Sequence, residues 1–142
     1  MVSNKRIVEF LEDKDFDIKD LSKFLDLDIS LIYAWRREDN FPSTKYLVLL
    51  SEYFDCSLEY LLNRSEEFGK GKVKNLSNFK DRLNFLIKDK NKSQYKMVKK
   101  DNICSSSCFH RWFKLNTIPE PEMLIKLADY FKVTIDYLLG RE

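Results

Sequence analysis

Residues 35–64 read WRREDNFPSTKYLVLLSEYFDCSLEYLLNR, and residues 112–141 read WFKLNTIPEPEMLIKLADYFKVTIDYLLGR. A slide of 77 positions superimposes them. Trp35 falls on Trp112, Pro42 on Pro119, and Leu47 and Leu50 on Leu124 and Leu127. Tyr53-Phe54 falls on Tyr130-Phe131, Tyr60-Leu61-Leu62 on Tyr137-Leu138-Leu139, and Arg64 on Arg141. Other pairs keep their character, among them Val48/Ile125, Ser57/Thr134 and Glu59/Asp136. Chance rarely brings the only two Trp residues and two Tyr-Phe pairs into one register, so the chain reads as a duplication.

Working outward, each copy reads as five helices. Ile7, Val8, Phe10 and Leu11 give a first helical stripe, and Asp17 caps a second helix whose buried face is Leu21, Phe24 and Leu25. Asp26-Leu27-Asp28 turns the chain into a third helix ending near Arg36, with Ile32 and Trp35 inward. Phe41-Pro42 breaks the chain. A fourth helix then carries Leu47, Leu50, Tyr53 and Phe54, and Ser57 caps a short fifth. In the second copy Ser77 is the expected cap of a helix from about Asn78 to Asp89, with Leu83, Leu86 and Ile87 inward. Ser93 caps the second helix, Ser105 or Ser106 starts the third, Pro119 and Pro121 precede the fourth, and Thr134 caps the fifth. The expected fold is all-α, with domains over 1–64 and 77–142. Residues 65–76, with Gly69 and Gly71 among lysines, read as a flexible linker.

Composition agrees with helices and short connections. The 142 residues include only 3 Gly and 3 Pro, against 11 Phe and 7 Tyr to fill two small cores. Net charge is +2, unevenly spread: 9 Lys+Arg against 15 Asp+Glu in residues 1–68, and 16 against 8 in residues 69–142. The first part therefore carries −6 and the second +8, which points to two kinds of partner, with nucleic acid attracted to the second. The opening residues show no signal-peptide core, and the apolar run Tyr46–Leu50 is too short to span a bilayer. No membrane association is expected. The 3 cysteines read as free thiols in a cytoplasmic protein.

The stretch from Asp17 to Trp35 resembles the helix-turn-helix of the phage-repressor and Cro family, also called xenobiotic-response-element-like. The tail from Met123 to Gly140 and the Ser93-Gln94 start of helix two are also similar to that family. The resemblance implies two tandem five-helix, lambda-repressor-like domains. It also implies a third helix that enters the major groove, a second helix that starts on the phosphate backbone, and frequent dimerisation on a two-fold operator.

In the second copy, the outward face of helix three offers Ser105, Ser106, Ser107, His110, Arg111 and Lys114 as DNA-binding residues. Gln94 stands at the family's phosphate-clamp position, and Lys92, Lys96, Lys99 and Lys100 surround it. The same face would serve as a merely solvated surface. The second copy has one extra residue between Lys100 and Ser106, which leaves its register open by one. Asn102 stands where the family's turn glycine would be.

The first copy presents Ile29, Ser30, Tyr33 and Ala34 at the reading positions and Ile18 at the clamp, ringed by Asp15, Asp17, Asp20, Asp26 and Asp28. Carboxylates repel phosphate. Ile18, Ile29, Tyr33 and Ala34 are instead candidates for a protein interface, with a second copy of the chain, another protein or the other domain. Cys104, Cys108 and His110 lack a fourth ligand and read as small buried thiols and a surface His, so no metal or other cofactor is expected. No constellation suits catalysis, and no enzyme is expected. The leading expectation is a sequence-specific transcriptional regulator, such as a repressor, of a mobile element or bacterial host, partnered by double-stranded DNA. The alternative is a protein-binding adaptor or inhibitor, antitoxin-like or anti-CRISPR-like, that uses the acidic first copy.

Overall fold

The computed structural model describes residues 2–71 and 78–142. Every regular element among them is helical: α1(Lys5–Glu12), α2(Ile18–Leu25), α3(Ile29–Arg36), α4(Thr44–Phe54), α5(Leu58–Leu61), α6(Phe79–Asp89), a π-helical segment π1(Lys96–Lys100), α7(Ser106–Phe113), α8(Pro121–Phe131) and α9(Ile135–Leu138). The chain divides into two compact units, Met1–Lys72 and Val73–Glu142. None of the helices is long and apolar enough to cross a membrane.

Caps fix where the helices begin. The Asp17 carboxylate accepts from the Lys19 and Asp20 amides, Asp28 from Ser30, and Ser57 from Tyr60. In the second unit Asn78 accepts from Asp81, Ser105 from Cys108 and Thr134 from Tyr137. Each bond satisfies an amide that the first helical turn leaves without a partner. Ser77 lies outside the described residues, and the cap of α6 is Asn78. Ser93 bonds the Lys96 amide at 3.1 Å.

In the first unit α1 packs on α3 and α5, and α2 on α3 and α4. Ile7, Leu11, Leu21, Leu25, Ile32, Trp35, Leu47 and Leu50 are buried between them. In the second unit α9 packs on α6 and α8, over Leu83, Leu86, Phe109, Trp112, Leu124, Leu127 and Phe131. Each fully buried aliphatic side chain contributes about 1.5–3 kcal/mol. Phe24 does not join the buried face expected of it. It is 44% exposed and lies against Tyr53, ring centroids 5.3 Å apart. Tyr53 and Phe54 are themselves only half-buried.

Several contacts recur between the two units. The Arg6 guanidinium lies 4.1 Å from the centre of the Tyr60 ring, and Arg82 lies 4.1 Å from that of Tyr137. Arg64 pairs with Glu59 at 3.0 Å, and Arg141 with Asp136 at 3.6 Å. Asp55 and Lys132, one residue past α4 and α8, both take a left-handed backbone.

Residues 65–71 do not behave as the linker expected of them. Phe68 packs edge-on to Phe10, at 6.2 Å, and beside Tyr60, at 4.9 Å. Its carbonyl accepts from the Ser57 amide at 2.9 Å, and the Gly71 amide donates to Asp55 at 3.2 Å. The glycines permit close approach here, not looseness. Gly69 has φ +70°, where a side chain is strained, and a Cβ on Gly71 would collide with the backbone oxygen of Ser51. The remaining residues assigned to the linker, 72–76, lie outside the described residues.

Candidate nucleic-acid interface

α7 is amphipathic. Phe109 and Trp112 are buried, 3% exposed each, and lie edge to face at 5.4 Å. Because side chains three to four residues apart share a helix face, this burial turns the intervening positions outward. Ser105, Ser106, Ser107, His110, Arg111 and Lys114 are all exposed. Arg111 makes no ion pair among the described residues. Gln94 is exposed at the start of the second helix of this unit, and no hydrogen bond joins it to α7. Next to it Tyr95 is 67% exposed, an amphipathic ring with a hydroxyl that no motif in the sequence singles out. Lys99 and Lys100 are exposed, and Lys92 and Lys96 partly so.

The register left open by the extra residue is now defined. Asp26 and Asn102 are the left-handed residues of the two turns, at φ 52° and 51°. Leu27 alone separates Asp26 from its cap Asp28, whereas Ile103 and Cys104 separate Asn102 from Ser105. The backbone adjusts to the longer turn. Leu27 donates to the Ser22 carbonyl five positions back, while Ile103 donates to the Met97 carbonyl six positions back, at 2.8 Å. The helix leading into the turn is π-wound over Lys96–Lys100. A π-turn accommodates one residue more than an α-turn and often lies at functional sites.

The turn is also pinned from outside. The Tyr130 hydroxyl donates to the Asp101 carboxylate at 2.5 Å. Burial, reinforced by that carboxylate, pushes the Tyr130 phenol up to about 12.

Of the two thiols expected to be buried, one is and one is not. Cys104 is buried, and burial pushes its pKa up to about 11, which keeps it protonated. Cys108 is only partly buried. The Ser105 hydroxyl donates to its Sγ at 3.4 Å and the Arg111 guanidinium at 3.3 Å. Burial disfavours its thiolate, but Ser105, Arg111 and Lys126 together outweigh that and hold the thiol below its ordinary value. Beside it a cleft of about 390 Å³ is lined by Cys108, Arg111, Trp112, Ile118, Pro119 and Met123, among others. The only sequence signal for this contact was spacing: Cys108 and Arg111 stand three apart on one helix.

The first unit has a different surface at the matching positions. Asp28 caps α3 where Ser105 caps α7, and the hydrogen bonds from Ser30 hold its carboxyl below the usual range. Ser30 is exposed, but Ile18, Ile29, Tyr33 and Ala34 are half-buried instead of forming the open apolar patch expected of them. Part of the reason is local: the Arg36 guanidinium lies 4.7 Å from the centre of the Tyr33 ring. Asp15, Asp17, Asp20, Asp26 and Asp28 are all exposed around them.

No protein-family model matches the chain, and no curated protein or solved structure matches it either.

Proposed function

We propose that this chain is a sequence-specific DNA-binding transcriptional regulator built from two tandem lambda-repressor-like helix-turn-helix domains, of which the second reads DNA. The observation that carries the reading is the outward face of α7. It presents three serine hydroxyls, His110, Arg111 and Lys114 to solvent from a helix held down by Phe109 and Trp112. Arg111 is the residue suited to a bidentate contact with guanine, and the serines and Lys114 suit base edges or phosphate. Gln94, Tyr95 and the exposed lysines of the preceding helix supply a phosphate-binding margin. The +8 charge of residues 69–142 draws the polyanion to this half.

The first domain takes the protein-facing role. Its exposed carboxylates disfavour phosphate, and the half-buried Ile18, Ile29, Tyr33 and Ala34 offer only the apolar area they leave exposed to a second copy of the chain. The same carboxylates favour a second reading, in which the first domain docks as an acidic adaptor or inhibitor on a basic protein surface. Selection from a random duplex pool with the full chain separates the two. A regulator enriches a defined motif. An adaptor of this kind enriches none at any salt concentration.

A further inference from the structure

We infer that Cys108 is a positioning residue for Arg111, fixing the edge of the guanidinium that a guanine would meet. This rests on the DNA-reading role proposed for α7.

An exposed arginine gives up much rotamer freedom when it makes a directed contact. Four other arginines pair with carboxylates: Arg6 with Glu66, Arg37 with Asp39, Arg64 with Glu59 and Arg141 with Asp136. Arg111 has no carboxylate partner among the described residues, and its restraint is a sulfur. Its Nη2 donates to Cys108 Sγ at 3.3 Å. That sulfur is itself anchored by the Ser105 hydroxyl at 3.4 Å. Ser105 and Ser107 hydroxyls lie 2.8 Å apart, so Ser107 donating to Ser105 leaves the Ser105 proton free for the sulfur. Ser105 also caps the helix, which ties the whole relay to the backbone. A neutral thiol is a weak acceptor, and the contacts from Ser105 and Arg111 are the same ones that hold this thiol below its ordinary value. Trp112, Ile118, Pro119 and Met123 wall the adjoining cleft and narrow the other courses open to the side chain. With one Nη2 hydrogen engaged, the other edge of the guanidinium, which carries the second Nη2 hydrogen, remains as a fork of donors for guanine O6 and N7. The corresponding positions of α3 are Leu31 and Ala34, which hold neither acceptor nor guanidinium.

The test compares the full chain with Cys108→Val, which keeps the shape and loses the acceptor, and Cys108→Ser, which keeps an acceptor. The probes are a duplex selected by the wild-type chain and the same duplex with each G·C pair replaced in turn. Cys108→Val should lose about tenfold of the discrimination at one G·C pair. Its affinity for unrelated duplex at low salt and its far-UV circular dichroism should stay unchanged. Cys108→Ser should restore the discrimination. In an Arg111→Ala background neither substitution should have a further effect. Undiminished discrimination by a folded Cys108→Val chain overturns this inference and leaves DNA reading intact. A wild-type chain that selects no sequence overturns both.

Discussion

The hydroxyl of Tyr130 meets the carboxylate of Asp101 at 2.5 Å, tying α8 to the turn that aims α7. The first unit has the same bond from Tyr53, but its acceptor is Asp20, inside α2, at 2.6 Å. The phenol is held at the repeat position while the acceptor has moved from helix to turn. Tyr130→Phe should therefore cost about 0.5–1.5 kcal/mol of stability, the range of one net hydrogen bond. Denaturant titration measures that loss.

Both phenols carry a consequence for pH. Tyr53 and Tyr130 are raised to about 12, first by burial and then by their carboxylate partners, while an unfolded tyrosine titrates near 10. The folded state binds these protons more tightly. Their stabilisation is fully present below pH 10 and lost as pH rises from 10 toward 12. Stability measured across that window should fall, and the fall should be shallower in Tyr53→Phe with Tyr130→Phe. An equal fall in that double variant would show that the phenols are not the source.

On α7, Arg111→Ala and Lys114→Ala should each weaken binding to a selected duplex, by about 1–3 kcal/mol where a base contact is removed. A loss confined to phosphate contact would lower affinity evenly across sequences and reduce the salt dependence by about one charge. Both residues are exposed, so melting temperature should hardly change. Anisotropy titrations at two salt concentrations distinguish these outcomes. Unchanged binding by the double variant would remove the assignment of α7.

For the first unit, Ile29→Asp with Tyr33→Asp should convert a dimer to a monomer and weaken operator binding without removing a DNA contact. Since both residues are half-buried and Tyr33 lies under Arg36, a stability loss of about 1 kcal/mol should accompany it. Sedimentation of the wild-type chain is decisive. A monomer at high concentration would exclude the homodimer and shift attention to a different protein partner.

Gly71→Ala should dislodge the segment carrying Phe68, because the added methyl meets the backbone of Ser51, which cannot swing aside as a flexible side chain would. Chymotrypsin should then cut after Phe68 faster than in the wild-type chain. An unchanged cleavage rate would show that this segment yields without detaching.

Much of this fold was legible because its signals are local. Asp17, Ser57, Ser105 and Thr134 cap the helices that the sequence assigns them, and Ile32, Trp35, Phe109 and Trp112 point inward as periodicity demands. What escaped depends on neighbours distant in sequence. Phe68 among glycines and lysines looks like linker until Phe10 and Tyr60 receive it. Phe24 has the spacing of a core residue but ends on the rim against Tyr53. The π-winding precedes a turn one residue longer, and no side-chain pattern announces it. The outward face of α7 was legible as a list of exposed residues. The Ser105–Cys108–Arg111 relay was not, since it needs rotamers as well as spacing.

The two turns differ by one residue, yet from cap to tryptophan α3 and α7 run in phase: Asp28 to Trp35 and Ser105 to Trp112. The outward positions of the two helices therefore correspond one to one, and the face of α7 is transplantable. Ile29→Ser, Leu31→Cys, Tyr33→His, Ala34→Arg and Arg37→Lys, together with the Ser30 already in place, would write it onto α3 without touching Ile32 or Trp35. Such a graft would still stand among Asp26 and Asp28, whose charge opposes phosphate. The first half is thus a scaffold whose surface lettering can be exchanged while its frame is kept, with the carboxylates, not the backbone, left to oppose phosphate.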